Sequence, residues 1–436
     1  MDRRNWITNT LTGAAGLAAL SGADAVAQTR TPGQNRSQQQ KRGQILSAYS
    51  HLLEYAGSLP AIVNTHSHHG VGERAPGLHA LVRHTYLHWA SGNFSDTPDG
   101  WDKLERKYAC NTYYRWLSAG LDTLYGLPLN AENIPALDEA VRGAYAGQGH
   151  DLRVLRETCR YRAIVMDCYP RPGYDNGSPD LFRPTYRCDP FFYGNLPPGS
   201  PVPSAAAPYD MLTGGKPDSF EDYISQVAGA ISAAKDRGCS AIKLAVAYHR
   251  DLRFEQWKDT EVKSAYQSNV ENPIFQDAVM YALCDIAAKL ELPVQIHTGL
   301  GQYGGTQAQG LWKLITNKPN AKFVLFHCGY PWCDDILGLV HNYPNVYPDL
   351  CWLPIISTDR AVRMIREALE VGDAERLCWG CDTWTAEESI GALLAARHAL
   401  AKSLSIMVED TALSVSYAEY LIKRILHDNA AQLYKV

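Results

Sequence analysis

The stretch that decides the fold lies between residues 279 and 329. It reads Val279-Met-Tyr-Ala-Leu-Cys-Asp-Ile-Ala-Ala-Lys-Leu290, then Pro293-Val-Gln-Ile-His297-Thr-Gly299, then Lys322-Phe-Val-Leu-Phe-His327-Cys-Gly329. In the first part Val279, Leu283, Ile286, Ala287 and Leu290 recur with a helical period. The two later parts are short apolar runs that each stop at a histidine and turn soon after at a glycine. Strands that alternate with amphipathic helices form a parallel sheet. Working outward, further short runs suit strands at Ala61–Thr65, Leu121–Tyr125, Ala163–Cys168, Ser240–Val246, Asn345–Leu350 and Arg376–Cys381. A second helix shows in Ile224, Val227, Ala228 and Ile231, closed by Gly238. The eight strands fit an α/β fold, a distorted (β/α)8 TIM barrel. Such barrels keep their catalytic residues at the C-terminal ends of the strands.

The spacing is uneven. Residues 69–115 follow the first predicted strand and 169–222 follow the third, and both are rich in Tyr, Trp, Pro and Gly. Long insertions on the catalytic face shape a substrate pocket, or else cover the barrel or form a contact between copies.

Composition bounds the function. Of 436 residues 46% are hydrophobic and 20% charged, which supports a large core. The net charge of −5 lacks the basic excess of a nucleic-acid binder. No run is long and apolar enough for a transmembrane helix, so no membrane span is expected. Residues 1–27 read as a Tat-type signal peptide: Arg3-Arg4, an apolar run from Leu11 to Leu20, then Ala25-Val26-Ala27. That places the mature chain outside the cytoplasm of a bacterium, periplasmic or extracellular. Residues 28–45 read as a flexible tether and 46–436 as the barrel domain. The 11 cysteines are an odd number, and those within strand-like runs read as small buried hydrophobes. An oxidising compartment would permit disulfides, with no pairing deducible.

The chemistry is read from the strand ends. The first ends in His66-Ser67-His68-His69, and alternate residues of an extended chain point to one side, so two imidazoles reach one ion. His297 and His327 end the fifth and sixth strands, and Asp382 ends the eighth in Cys-Trp-Gly-Cys-Asp-Thr. One such histidine is more often a core or turn residue. The repetition at independent strand ends points to a metal centre.

His66, His68, His297, His327 and Asp382, in that order, resemble the amidohydrolase superfamily, in its amidohydrolase-related branch. The resemblance is strongest from Ser240 onward, in Ala-Ile-Lys-Leu-Ala-Val-Ala-Tyr (241–248), Phe-His-Cys-Gly-Tyr-Pro-Trp (326–332) and His-Asp-Asn-Ala-Ala-Gln-Leu-Tyr (427–434). Residues 111–120 are similar to uronate isomerase-like members. The resemblance implies that His66, His68, His297 and Asp382 hold one divalent ion and that His327 binds or protonates the substrate. Imidazoles with a carboxylate suit Zn²⁺, with Mn²⁺ or Fe²⁺ as alternatives. An open coordination position lowers the pKa of a bound water to about 7. Asp382 would act as general base and then return the proton to the leaving group.

Lys243 lies on the fourth predicted strand, where some superfamily members carry a carboxylated lysine between two metals. A second metal is expected only if Lys243 is carboxylated. The preferred reading is one metal, with Lys243 as a cationic pocket residue. Arg187 offers a bidentate clamp for a carboxylate, or an ion pair with Asp189. Tyr248 and Trp384 are further substrate-binding candidates. Glu387 is expected near the metal or the substrate, and Tyr113, Tyr114 and Trp116 as an aromatic wall. The expected activity is a metal-dependent hydrolase acting on a small-molecule ester, lactone or amide. The alternatives are a decarboxylase or uronate isomerase-like enzyme with the same site, and a catalytically inactive binding barrel. A homo-oligomer is a common expectation for such barrels.

Overall fold

Strands β1 (Ile62–Ser67), β2 (Tyr161–Met166), β3 (Phe182–Arg187), β4 (Ala241–Leu244), β5 (Val294–Ile296), β6 (Phe323–Leu325) and β7 (Val346–Pro348) pair in sequence order. Every neighbouring pair is parallel. The computed structural model describes residues 47–70, 75–168, 171–204 and 206–436. The predicted signal peptide and tether lie outside the described residues. The rest belongs to one compact unit, Gln44–Val436.

The eighth predicted strand, Arg376–Cys381, pairs through a single bridge, Asp349 to Cys378. Even so, its segment joins the two ends of the sheet. Cys378 N donates to Pro348 O at 3.0 Å, and Leu350 N donates to Cys378 O at 2.9 Å. On the other flank Thr65 N donates to Trp379 O at 3.2 Å, and Asp382 N donates to His66 O at 2.8 Å. These bonds curl the sheet into a distorted TIM barrel and bring Asp382 beside His66.

Two other strand expectations are corrected. Leu121–Tyr125 is the last turn of a helix, Thr112–Tyr125, capped by the Asn111 side chain and ended by Gly126 in the left-handed conformation. Its apolar run is the C-terminal part of a helical stripe with Tyr114 and Leu117. In turn, β3 was not foreseen. Pro184 sits in its middle, and proline removes a ladder donor and argues against an interior strand. Here Pro184 still pairs with Met166, and its carbonyl accepts from Ser240 N at 3.0 Å. The long excursions are therefore residues 68–160, after β1, and 188–240, after β3.

The barrel interior is packed by Val63, Ala163, Val165, Val324 and Phe326. Leu433 and Tyr434 of the C-terminal helix join the same cluster. Tyr434 Oη accepts from buried Gln295 Nε2 at 2.9 Å, and the same amide nitrogen reaches Thr65 O at 2.9 Å. Asn429 Nδ2 donates to Ala374 O and Leu377 O, both at 2.8 Å. The closing 427–434 stretch thus anchors the segment that leads to Asp382.

The excursion after β1 folds into helices with their own core, including Leu78, Leu81, Trp101, Leu104 and Leu137. It docks on the barrel where helix Thr112–Tyr125 crosses helix Ala386–Glu409. A Cβ at Gly120 would stand 2.5 Å from Glu387 O, and one at Gly391 2.2 Å from Trp116 O, so only glycine permits this approach. All 11 cysteines are free thiols, most of them buried.

Candidate metal centre

Six of the residues expected at or near strand ends face one cavity of about 470 Å³: His66, His68, Arg187, Lys243, His297 and Asp382. Tyr248 and Trp384 line it as well. His68 Nε2 stands 3.1 Å from Asp382 Oδ1, and His66 Nε2 stands 3.8 Å from the same oxygen. One donor atom from each of these three residues lies within 4.8 Å of the others. The ladder between β1 and β2 shifts register between Asn64 and Ser67, the stretch that holds His66. Asp382 takes a positive φ of 53°, a conformation that costs energy for a non-glycine residue and is common at functional sites.

The donor chemistry fits a cation. His68 Nδ1 donates to Asp167 O at 2.8 Å, which fixes the tautomer and turns the Nε2 lone pair toward Asp382. Asp382 Oδ1 is buried and makes no aligned hydrogen bond. Burial holds His66 and His297 well below the usual histidine range, so both imidazoles are neutral and ligand-competent. Burial opposes ionisation of Asp382, but His66, His68 and His327 outweigh it and keep the carboxyl well below its ordinary value. One carboxylate oxygen and two imidazole nitrogens thus converge on a single point.

His297 and His327 form a second tier. His327 Nε2 and His297 Nδ1 are 3.0 Å apart. Each outer nitrogen faces a carbonyl: His327 Nδ1 meets Cys351 O at 2.9 Å, and His297 Nε2 meets Leu300 O. Two neutral rings supply only the two outer hydrogens, so the inner nitrogens face each other with lone pairs. A proton or a cation is what that contact calls for. His327 is fully buried beneath His297 rather than on the cavity wall, and burial lowers its pKa to about 4. The group His327, Cys351 and Asp382 is also compact. Its imidazole nitrogen toward Asp382 is the one donating to Cys351 O, which counts against ligation there.

Lys243 Nζ is buried, 3.4 Å from His66 Nε2 and 4.0 Å above the Phe326 ring. Among the described residues no carboxylate lies within ion-pair distance of it, and burial lowers its pKa. Arg187 does form the ion pair with Asp189, at 2.6 Å, and a second with Asp167 at 2.7 Å. Trp384 stacks on His68 with ring centres 5.0 Å apart, and Tyr248 tilts over His297 at 4.6 Å. Glu387 is not at the site. It is buried behind the wall, accepting from Tyr125 Oη at 2.9 Å and facing His150 Nε2 at 3.1 Å. Trp116 also points away, donating to Thr358 Oγ1 at 2.8 Å, whereas Tyr113 backs the cavity by stacking on Tyr86.

Several residues at the site escaped the sequence reading. Asp167 ends β2 and lines the cavity, and the same strand-end rule would have found it. Arg83, Tyr86 and Trp89 come from the excursion after β1, and Trp352 from the loop after β7. No local pattern marks them.

A sequence profile described as Amidohydrolase matches residues 213–436, more than half of the chain, and the chain belongs to the amidohydrolase family. Protein fluG of Emericella nidulans is 33% identical over 156 residues, covering 33% of this chain and 17% of that protein. The match therefore spans a small part of the curated relative. A uronate isomerase from Thermotoga maritima superposes with a TM-score of 0.71 at 14% identity, covering 89% of this chain and 97% of that one. For a glucuronate isomerase from Caulobacter crescentus the values are 0.69, 15%, 90% and 94%. For a protein from Lactobacillus casei described as a metal-dependent hydrolase they are 0.66, 17%, 88% and 97%. These likenesses are of fold. Among the described residues no helix is long and apolar enough to cross a membrane.

Proposed function

We propose that this chain is a metal-dependent hydrolase that directs water at a small ester, lactone or amide bearing an anionic group. The observation that carries the reading is the convergence of His66 Nε2, His68 Nε2 and Asp382 Oδ1 at the cavity wall. His66, His68 and Asp382 would hold one divalent ion, Zn²⁺ before Mn²⁺ or Fe²⁺, and His297 would be the fourth ligand only once its Nδ1 turns from His327 toward the ion. Such an ion supplies Lewis acidity and lowers the pKa of water. The chain's own residues do the rest. Asp382 takes the proton from the attacking water and passes it to the leaving group. Asp167 holds the His68 ring through its carbonyl. Lys243, buried at the cavity wall without a carboxylate at ion-pair distance among the described residues, is the cation that attracts a substrate anion, while Arg187 is held by Asp167 and Asp189. His327 steadies His297 from beneath. In the same proposal residues 1–27 direct export, and residues 46–436 are the catalytic unit.

The test uses protein stripped by chelation and reloaded with Zn²⁺, Mn²⁺ or Fe²⁺, assayed on carboxylated lactones, aryl esters and amides in ¹⁸O-water. The expected result is turnover with one ion per chain and label in the product. The cationic side of the cavity favours one second reading, decarboxylation or uronate-type isomerisation. Carbon dioxide release, or sugar interconversion without label, would replace hydrolysis with that reading.

A further inference from the structure

Glu388 has no part in the chemistry above, yet it is fully buried and joins the two walls of the cavity. It stands in the first turn of helix Ala386–Glu409, where its own N–H donates to the capping Thr385 Oγ1 at 3.2 Å. An acidic residue at this place ordinarily reaches back to the start of its own helix. Here only one oxygen does so, accepting from Trp384 N at 3.4 Å. The other accepts from Tyr86 N at 2.6 Å, across a separation of 302 residues.

Each anchored residue carries an aromatic wall. Trp384 stacks on His68. Tyr86 stacks on Trp352 with ring centres 4.5 Å apart, and its edge meets Trp384 at 4.9 Å. Among the described residues no cationic side chain pairs with Glu388; burying such a carboxyl is costly, and a plain helix cap would not require it. We infer that Glu388 is a positioning residue: a carboxyl clip that fixes the excursion's pocket wall, residues 83–89, against the metal-bearing wall and so sets how the substrate seats. The inference rests on the proposed function for its kinetic consequence, while the clip itself is tested without a substrate.

Amide hydrogen exchange on the full chain provides that test. Glu388→Ala is expected to speed exchange across residues 83–89 at least tenfold. Glu388→Gln, which keeps one acceptor oxygen, should restore most of the protection at Tyr86. Thr385→Ala removes the helix cap alone and should leave residues 83–89 unchanged. If circular dichroism shows the Ala variant unfolded, Glu388→Asp, a methylene too short to reach Tyr86, takes its place with the same expectation. Unchanged exchange at 83–89, or equal acceleration by Thr385→Ala, overturns the clip. On any ester or lactone that the wild-type protein hydrolyses, Glu388→Ala should raise KM at least fivefold and leave kcat within twofold, with Gln restoring KM. A fall in kcat alone also overturns it. If the wild-type protein hydrolyses none, the hydrolase reading fails while the exchange result still decides the clip.

Discussion

The cavity has two walls with different origins. One is built from strand ends, with His66 and His68 at the end of β1 and Lys243, His297 and Asp382 each on a further barrel strand or its exit. The other is built from the excursion after β1, with Arg83 at the end of one short helix and Tyr86 and Trp89 on the next. The first wall is fixed by the sheet ladder: Asp382 N bonds directly to His66 O, so the chemistry inherits the precision of the backbone. The second is fixed by side-chain packing and by the Glu388 carboxyl. A barrel can therefore exchange its second wall without disturbing the first, and this division separates reaction from substrate choice.

The largest effect that would sharpen the contrast lies on the strand-end wall. Asp382→Asn keeps the shape and removes the anionic oxygen. Turnover should fall on the order of 10³-fold or more, the scale of a lost general base. Bound metal measured by elemental analysis should fall with it, and the far-ultraviolet circular dichroism spectrum should stay as in the wild type. Full activity in this variant would remove Asp382 from the chemistry.

Next in size is the support behind that wall. Asp167→Ala takes from the half-buried Arg187 one of two carboxylates, Asp167 at 2.7 Å, and leaves Asp189 at 2.6 Å. Breaking a buried ion pair costs about 3–5 kcal/mol, and the surviving partner favours the low end, about 3 kcal/mol. Urea unfolding reads this directly. A change under about 0.5 kcal/mol, the size typical of ordinary surface substitutions, would show that Arg187 repacks freely and that the wall is less rigid than its ladder implies.

The two walls also differ in how far the sequence reveals them. His66, His297 and Asp382 are legible because an apolar run that stops at a ligand-type side chain is a local pattern. Asp167 obeys the same rule, in Ile-Val-Met-Asp, and is readable in hindsight. Arg187 could be singled out although its strand could not, because Pro184 masks the strand without preventing its pairing. In helix Thr112–Tyr125 the last turn, Leu121–Tyr125, is apolar enough to pass for a strand on its own. Tyr86, Trp352 and Glu388 carry no local signal. Their roles arise only when distant segments meet, as in the bond from Tyr86 N to Glu388.

A pH experiment probes the junction of the walls. Burial pushes the Glu388 carboxyl up to about 8 from an ordinary 4.5. The folded chain then holds a proton that the unfolded chain has released, so stability is full below the ordinary value and is lost as pH rises toward 8. The buried histidines, with lowered pKa values, act oppositely and only below about 6.5. Asp349, raised to about 6 by burial, has finished titrating by pH 7. In metal-free protein the melting temperature should therefore decline from pH 7 to pH 8, where Glu388→Gln should flatten it; above pH 8 the buried thiols, also raised by burial, continue the decline in both proteins. An equal slope in the Gln variant would assign it elsewhere.

The smallest effect belongs to the rim of the second wall. Trp89 is 62% exposed and tilts against Trp352 at 5.5 Å, beyond the packed aromatic stack. It contributes little to folding, so Trp89→Ala should change stability by no more than about 0.5 kcal/mol, as surface substitutions usually do. Its ring nevertheless borders the cavity mouth and offers apolar surface to whatever part of a substrate extends past Tyr86. Removing it should raise KM a few-fold for esters with bulky leaving groups and leave small lactones unaffected, with kcat constant. This is the pattern of lost uniform binding. If kcat falls instead and KM holds, the rim reaches the reacting bond, and the separation between a wall that reacts and a wall that selects does not stand.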